Sequence, residues 1–341
     1  MPSRVLILSS PEDAHATKVA QHLTELNVQT VFWRYDPFVH DCQLNFAVGT
    51  DRREFKFNNG SAMIDMTSFD SIWHRRPGSL NVKQFFEPWI ASMIEVEATH
   101  ALRGMLYSLP RLWVNFPARD AVASLKLFQL EVAKNIGMAV PETIVTNEPE
   151  SAKAFYEKMS GQVIYKLISE KSNFSLPHYE FPHGIPTLPV RDLDVSHFDQ
   201  VRHAPHLFQE RIQKKADIRV TVIGKKLFAS HIESQAGKGK LDWRTDYGVP
   251  MKTWDLGDQL AEKCMQLLIN LGLNYGAIDF CLDENEQHVF LEINSAGQYL
   301  WLEEPTKTDL SKEMALLLGG KSDPLVSYEH AAFGNANGNH P

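Results

Sequence analysis

Two short apolar segments restrict the fold of this chain more than any other feature: Tyr275-Gly276-Ala277-Ile278-Asp279-Phe280 and Val289-Phe290-Leu291-Glu292-Ile293-Asn294-Ser295-Ala296-Gly297-Gln298. Alternating large apolar residues make each a buried strand, and Asp283-Glu284-Asn285-Glu286 between them is a turn. Strands of a hairpin lie side by side, so Asp279, Glu292 and Asn294 can converge at one end. Glu292 and Asn294, two apart, share a face. The three offer only hard oxygen ligands, the set suited to magnesium held together with phosphates. A polar edge on an ordinary hairpin is the plainer alternative. A carboxylate flanked by Phe, Leu and Ile nevertheless needs a cation or a donor once buried.

With 341 residues, the chain can form two or three lobes. Its 43% hydrophobic and 22% charged residues are ordinary for a globular protein. A net charge of −8 gives no overall basic field to attract nucleic acid or an anionic membrane. Cys42, Cys264 and Cys281 have no metal-ligand spacing, which points to reduced thiols in a cytoplasmic protein. Met-Pro-Ser-Arg leads directly into Val5-Leu6-Ile7-Leu8, with no secretory signal and no apolar run long enough to span a bilayer.

Val5–Ser10 and Val31–Tyr35 read as strands around a helix at Ala14–Asn27, predicting an α/β lobe with a parallel sheet. Phe55–Phe57 and Ser61–Asp65 suggest a hairpin across Asn58-Asn59-Gly60. Ser71–Gly78 runs from strand into loop, and Lys83–Leu109 is mostly helical. The first boundary falls near Trp113–Pro117. Asp120–Gly137 reads as one helix, followed by a strand from Val140, a short helix at Ser151–Met159 and a strand at Val163–Ile168. Residues 169–206 carry five prolines and five histidines with little periodicity, which predicts a long excursion. Those histidines do not form a zinc pattern. Strands at Asp217–Ile223 and Lys226–Ser234, a helix at Gly257–Gly272 and a last helix at Lys312–Leu318 complete the order. The expected division is therefore 1–114, 115–206, 207–320 and a flexible tail, 321–341.

Lys166 lies inside a strand between Tyr165 and Leu167, where a charge needs an anion. Lys126 sits on an otherwise apolar helical stretch, and alone would be read as a solvated lysine. With a carboxylate–Asn metal site, the two suggest the phosphates of a nucleotide. A strand end at Glu210-Arg211-Ile212 could offer backbone groups to an adenine edge, with Ile212 as apolar contact. Asp217 and Arg219 share a face on the next strand, suiting a ribose and a phosphate; a surface salt bridge is the alternative. Arg244 supplies a further guanidinium after a Gly-Lys-Gly-Lys loop. No Gly-x-x-x-x-Gly-Lys-Ser/Thr or dinucleotide fingerprint occurs.

An α/β lobe, Lys126, Lys166, Gln209-Glu210-x-Ile212, Asp217-Ile218-Arg219, Asp242-x-Arg244, Asp279 and Glu292-Ile293-Asn294, in that order, resemble the ATP-grasp ligases. Within them, Glu292–Glu303, Trp73-His74-Arg75-Arg76-Pro77 and Asp242-Trp243-Arg244 look like the microviridin-type, or graspetide, peptide ligases. The resemblance spans roughly residues 4–318. It departs at Ser169–Phe174, which lacks the glycine-rich phosphate cover of many relatives. It also departs at Ser295-Ala296, where those ligases often have Pro and Asn.

The resemblance implies an ATP-grasp fold: an N-terminal parallel-sheet lobe, a central lobe and a C-terminal mixed-sheet lobe. It implies ATP and magnesium as cofactors, and an acyl-phosphate route to an ester or amide between side chains of a precursor peptide. Lys126, Lys166, Gln209, Glu210, Arg211, Ile212 and Asp217 would hold the nucleotide, and Asp279, Glu292 and Asn294 the metal. Arg219 and Arg244 would grip the transferring phosphoryl group. Arg75 and Arg76 would meet an acidic core peptide, and Asp192 and Asp194 a basic leader. A homodimer is one assembly open to such a chain. Two other functions stand beside this reading: a ligase adding amino acids to a peptide terminus, and a non-catalytic nucleotide-binding module.

Overall fold

A computed structural model describes residues 3–35, 43–58, 62–80, 82–169 and 186–328. The first lobe is built on a parallel sheet. Its opening unit is β1 (Arg4–Leu8), α1 (Ala14–Glu25) and β2 (Gln29–Trp33). Asp13 caps α1 by accepting the amides of His15 and Ala16. A three-stranded antiparallel sheet follows, β3 (Gln43–Gly49), β4 (Arg52–Asn58) and β5 (Met63–Asp65). The expected hairpin corresponds to β4 and β5; most of its turn lies outside the described residues, and β3 is an additional strand. The parallel sheet, in the order β2-β1-β6-β7, is completed by β6 (Ser71–His74) and β7 (Leu112–Val114). Between them runs α2 (Pro88–Tyr107), shorter than the expected 83–109. Pro88 opens this helix and holds the preceding residue in extended backbone, so helix cannot continue upstream.

The single helix expected over 120–137 is two, α3 (Pro117–Ala123) and α4 (Lys126–Asn135). Leu125 between them is extended, at φ −80° and ψ 102°, and Lys126 is the first residue of α4 rather than an interior one. The central lobe follows with β8 (Thr143–Thr146), α5 (Pro149–Lys158), β9 (Val163–Lys166), β10 (Leu188–Pro189), α6 (Asp192–Val195) and β11 (His206–Glu210). Its sheet runs β10-β9-β11-β8, antiparallel throughout. Residues 170–185 of the expected excursion lie outside the described residues. The part from 186 to 206 carries a strand, a helix and a 3₁₀ segment (Phe198–His203), so it is not a plain loop.

The C-terminal lobe holds β12 (Lys214–Ile223), β13 (Lys226–Ile232), β14 (Met251–Thr253), α7 (Asp258–Leu271), β15 (Tyr275–Asp283), β16 (His288–Asn294), α8 (Leu300–Thr306) and α9 (Leu310–Leu318). Its sheet runs β14-β13-β12-β15-β16 in antiparallel pairs. A parallel bridge from Ala139 to Val289 makes the outer edge mixed. One face of this sheet, with Ile218, Val220, Ile278, Phe280, Phe290 and Ile293, packs on Leu267, Leu268 and Leu271 of α7. A second core crosses between lobes: Val5, Ile7, Val19 and Leu23 pack with Tyr275, Leu310, Met314 and Leu317. Among the described residues no helix is long and apolar enough to cross a membrane.

Candidate active site

The face of the C-terminal sheet away from α7 carries a row of charged residues. Arg219 on β12 lies opposite Asp279 on β15, which lies opposite Glu292 on β16; Asn294 pairs with Ala277. Strict alternation from Phe290 would turn Glu292 into the core. A β-bulge prevents this: Asp279 pairs with Glu292 but Phe280 pairs with Phe290, leaving Leu291 as the extra residue. Phe290 and Ile293 therefore stay in the core while Leu291 and Glu292 line a cleft. A second bulge, between Lys214 and Ala216 on β12, brings Lys214 onto the face of Asp217. The Lys214 ammonium donates to both Asp217 oxygens at 2.7 Å. Asp217 is 2% exposed, so this is no surface salt bridge, and burial pushes its carboxyl upward against the pull of Lys214. Sequence reasoning missed Lys214 because strict alternation places Lys215, not Lys214, beside Asp217.

Charge is concentrated around Glu292. Lys126 Nζ donates to its Oε2 at 2.5 Å, and Arg244 Nη1 lies 3.8 Å from its Oε1. Burial alone would raise the Glu292 carboxyl, but Lys126, Lys166 and Arg244 outweigh it and hold it far below the usual range. Lys166 is pushed down by burial, with Glu292 opposing. Arg244 is bound by Asp242 through Nε at 2.9 Å and Nη2 at 2.7 Å. That pairing, with Glu292 and Asp279 nearby, outweighs burial and keeps it cationic. Arg219 Nη1 donates to Asp279 Oδ2 at 2.6 Å, yet burial still raises the Asp279 carboxyl.

Lys126, Lys166, Arg219 and Arg244 thus surround Asp242, Asp279 and Glu292, a surplus of positive charge suited to a polyphosphate. The hard-oxygen set of Asp279, Glu292 and Asn294 fits magnesium. Asp279 Oδ1 is buried with no hydrogen-bond partner among the described residues, as an oxygen awaiting a cation would be. Among the described residues no three His, Cys, Asp or Glu gather as a metal cluster, because the third oxygen here comes from an asparagine.

Lys166, Gln209, Glu210, Arg211, Ile212, Asp217, Arg244, Asp279 and Glu292 line one cleft between the central and C-terminal lobes, about 900 Å³ including its open mouth. The strand end at Glu210–Ile212 is less available than the sequence suggests. Glu210 N donates to Glu142 O at 2.8 Å and Arg211 N to Gln162 O at 2.9 Å, so both amides serve the central lobe. Gln209 is buried and donates to Thr143 Oγ1 at 2.9 Å, while its Oε1 has no partner among the described residues.

The four residues expected to meet a peptide divide. Arg76 is exposed, but Arg75 is turned inward at 5% exposure. Its Nε lies 3.3 Å from Asp13 Oδ2 and its Nη1 donates to Ala296 O at 2.5 Å. A guanidinium so engaged is a strut between lobes rather than a group open to an acidic core peptide. Asp194 is likewise paired internally, accepting from Arg191 N at 2.9 Å and from Arg191 Nε and Nη2 at 3.2 Å. The Asp192 side chain lies outside the described residues. Arg75 belongs to a wider arrangement around the loop after β16, where four successive carbonyls accept from four side chains. Ser295 O takes Asn115 Nδ2, Ala296 O takes Arg75, Gly297 O takes Tyr275 Oη and Gln298 O takes Arg219 Nη2.

The first lobe and the last match two family models: an MvdD pre-ATP grasp domain over residues 4–120 and a RimK-like ATP-grasp domain over residues 190–318. A search of curated proteins finds no match. Among solved structures, the macrocyclase MdnC bound with precursor peptide MdnA, from Microcystis aeruginosa MRC, is 25% identical with a TM-score of 0.80; the match covers 93% of this chain and 99% of that one. A RiPP-associated ATP-grasp ligase from Chryseobacterium gregarium, in complex with ADP and a leader and core peptide, is 25% identical with a TM-score of 0.84, covering 95% and 98%. The ATP-grasp ligase PsnB, complexed with a phosphomimetic variant of a minimal precursor, Mg and ADP, shares the fold at 18% identity and a TM-score of 0.74, covering 94% and 99%. Fold, charged row and matched models agree: the chain is an ATP-grasp ligase, similar over nearly its whole length to the ligases and macrocyclases that act on precursor peptides.

Proposed function

We propose that this ligase activates Asp or Glu side chains of a ribosomally made precursor peptide and joins them to Ser or Thr hydroxyls, or to a Lys amine, closing rings. The observation that carries this reading is the row Arg219–Asp279–Glu292 with Lys126, Lys166 and Arg244 around it. In the first step a substrate carboxylate oxygen attacks the γ-phosphorus of ATP; the bond to the β,γ-bridging oxygen breaks and ADP leaves. In the second, the hydroxyl or amine attacks the acyl carbon and phosphate departs with its oxygen, so each bond formed removes one water from the peptide.

Asp279, Glu292 and Asn294 would hold magnesium, which would supply neutralisation of the phosphate charge. Lys126 and Lys166 bind the phosphates as point charges, and Gln209, Glu210, Arg211, Ile212 and Asp217 frame the nucleoside. Arg244, fixed by Asp242, and Arg219 hold the transferring phosphoryl group through paired N–H donors. No side-chain nucleophile is needed, because the peptide carboxylate takes that part.

The leader segment is assigned to a groove on the central lobe, lined by Tyr165, Leu188, Val190, Phe198, His206 and Phe208. Asp194, which lines this groove, and Asp192, two residues before it in the chain, would meet basic leader residues, and Arg76 the acidic core. For a homodimer, the supporting feature is a stripe on α2: Trp89, Met93 and Val96 are 71%, 56% and 50% exposed. A dimer built there sediments as a monomer after Trp89→Glu. A cytoplasmic setting suits the buried free thiols of Cys264 and Cys281.

Incubation with ATP, magnesium and an acidic, Thr-rich precursor, followed by mass spectrometry, tests the function. Ring formation lowers the peptide mass by one water per bond. A mass gain of whole residues would make the enzyme an amino-acid ligase, and no ATP turnover with any peptide would make it a binding module.

A further inference from the structure

β16 is the last strand of its sheet, and beyond the bridge from Val289 to Ala139 its outer side meets helix α4 rather than another strand. Backbone groups facing that helix would be buried without partners, which is costly. Gln129 removes the problem at one position. This side chain, 1% exposed among Leu130, Val132, Ala133 and Ala123, accepts from Ile293 N at 3.0 Å and donates to Ile293 O at 2.9 Å. Its second N–H donates to Ala123 O at 2.6 Å, across the break between α3 and α4. The carboxamide therefore imitates a neighbouring strand for one residue, the one lying between Glu292 and Asn294.

A residue's N–H and C=O leave a strand on the same side, and successive residues alternate. When Ile293 turns both groups outward to Gln129, Glu292 and Asn294 turn theirs inward to β15. That is the register which the bulge at Leu291 creates. Sliding β16 by one residue to remove the bulge would carry the Ile293 groups inward and return Glu292 to the core side. One turn earlier on the same helix, Lys126 grips the Glu292 carboxylate. α4 thus touches the strand at a side chain and at the backbone next to it.

We propose that Gln129 is a positioning residue for the metal: its clamp on Ile293 holds β16 in the bulged register that points Glu292 and Asn294 into the cleft. The assignment rests on Asp279, Glu292 and Asn294 holding magnesium. Mn²⁺ serves as a spectroscopic stand-in, its binding to the enzyme with ADP followed by loss of the free-ion signal in electron paramagnetic resonance. Gln129→Leu raises the half-saturating Mn²⁺ concentration by about tenfold or more, as loss of a supporting contact does at metal sites. Binding of a labelled leader peptide, on another lobe, stays as in the wild type.

Leu268→Ala, which thins the core behind the same sheet, serves as the stability control. It lowers the melting temperature without moving Mn²⁺ affinity. Gln129→Glu keeps the acceptor for Ile293 N–H but loses both donors; it also weakens Mn²⁺, and decides the question alone if the leucine variant does not fold. Unchanged Mn²⁺ affinity in the folded Gln129 variants, or an equal loss in Leu268→Ala, overturns the proposal. Glu292→Gln separates it from its premise: if that variant binds Mn²⁺ like the wild type, the metal assignment itself is wrong.

Discussion

Glu292→Gln tests the centre of the site in the absence of any ligand. It removes the one carboxylate that Lys126, Lys166 and Arg244 share and leaves three cations facing one another. At an effective dielectric of 20, unit charges at the 2.5 Å Lys126–Glu292 separation attract by roughly 6–7 kcal/mol. Taking both groups out of water offsets part of this, and breaking such a buried pair costs about 3–5 kcal/mol net. At roughly 2 °C per kcal/mol for a protein this large, the ligand-free melting temperature falls by about 6–10 °C. ADP added with a chelator then stabilises the variant more than the wild type, because the phosphates return the missing negative charge. Adding magnesium gives the variant no further gain, and turnover is lost.

The acid limb of stability changes as well. A carboxyl whose folded pKa is depressed contributes stability that is fully present above its unfolded value, about 4.3, and lost as pH falls through the folded one. The variant lacks that loss. Scanning fluorimetry of the wild type, Glu292→Gln, Lys126→Met and the double variant measures the coupling. A double variant no more stable than the sum of the single changes would refute a Glu292-centred cluster.

Lys166→Ala removes a cation from the cleft and weakens ATP binding, by about tenfold or more for a charge facing phosphates; unchanged affinity by calorimetry would return Lys166 to a packing role. Buried His15, near Asp13, Arg75 and Arg76, accepts the amides of Tyr299 and Leu300, and burial pushes it down to about 4. Its contribution is therefore complete above the unfolded value of about 6.5 and is lost as pH falls toward 4, on the order of 3 kcal/mol. His15→Gln, which accepts without titrating, flattens the stability profile in that window; an unchanged profile by chemical denaturation would count against the assignment. Replacing Asp192 and Asp194 together by Ala weakens binding of a labelled leader and spares ATP affinity; equal loss of both, or of neither, would sink that assignment.

The order of elements was legible because burial writes it plainly. In β15, Ile278, Phe280 and Leu282 face the core while Asp279 and Cys281 line the cleft, and α7 carries an apolar face ended by Gly272 in left-handed conformation. Asp279, Glu292 and Asn294 could be named for the same reason. What the sequence hid are the irregularities. Alternation has no notation for an extra residue, so the bulges at Leu291 and Lys215 were invisible, and Lys214 with them. The break before Lys126 was hidden because Ser124-Leu125 carries no proline or glycine. Arg75 and Arg76 look alike in sequence, and only their tertiary partners separate a strut from an exposed group.

The loop at residues 295–298 bears on how such enzymes can be recombined. Arg75 and Asn115 come from the beginning of the chain and its first boundary, Tyr275 and Arg219 from the last sheet, yet their donors are interleaved on consecutive carbonyls. A first lobe of residues 1–114 transplanted from a relative would bring its own answer to the Ala296 carbonyl, leave Asn115 behind, and meet a loop shaped for another. Swapping at the boundary near residue 114 therefore exchanges half a lock without its other half. A workable chimera carries residues 75, 115 and 295–298 as one heritable set, although some 180 residues separate the two ends of the Asn115–Ser295 bond.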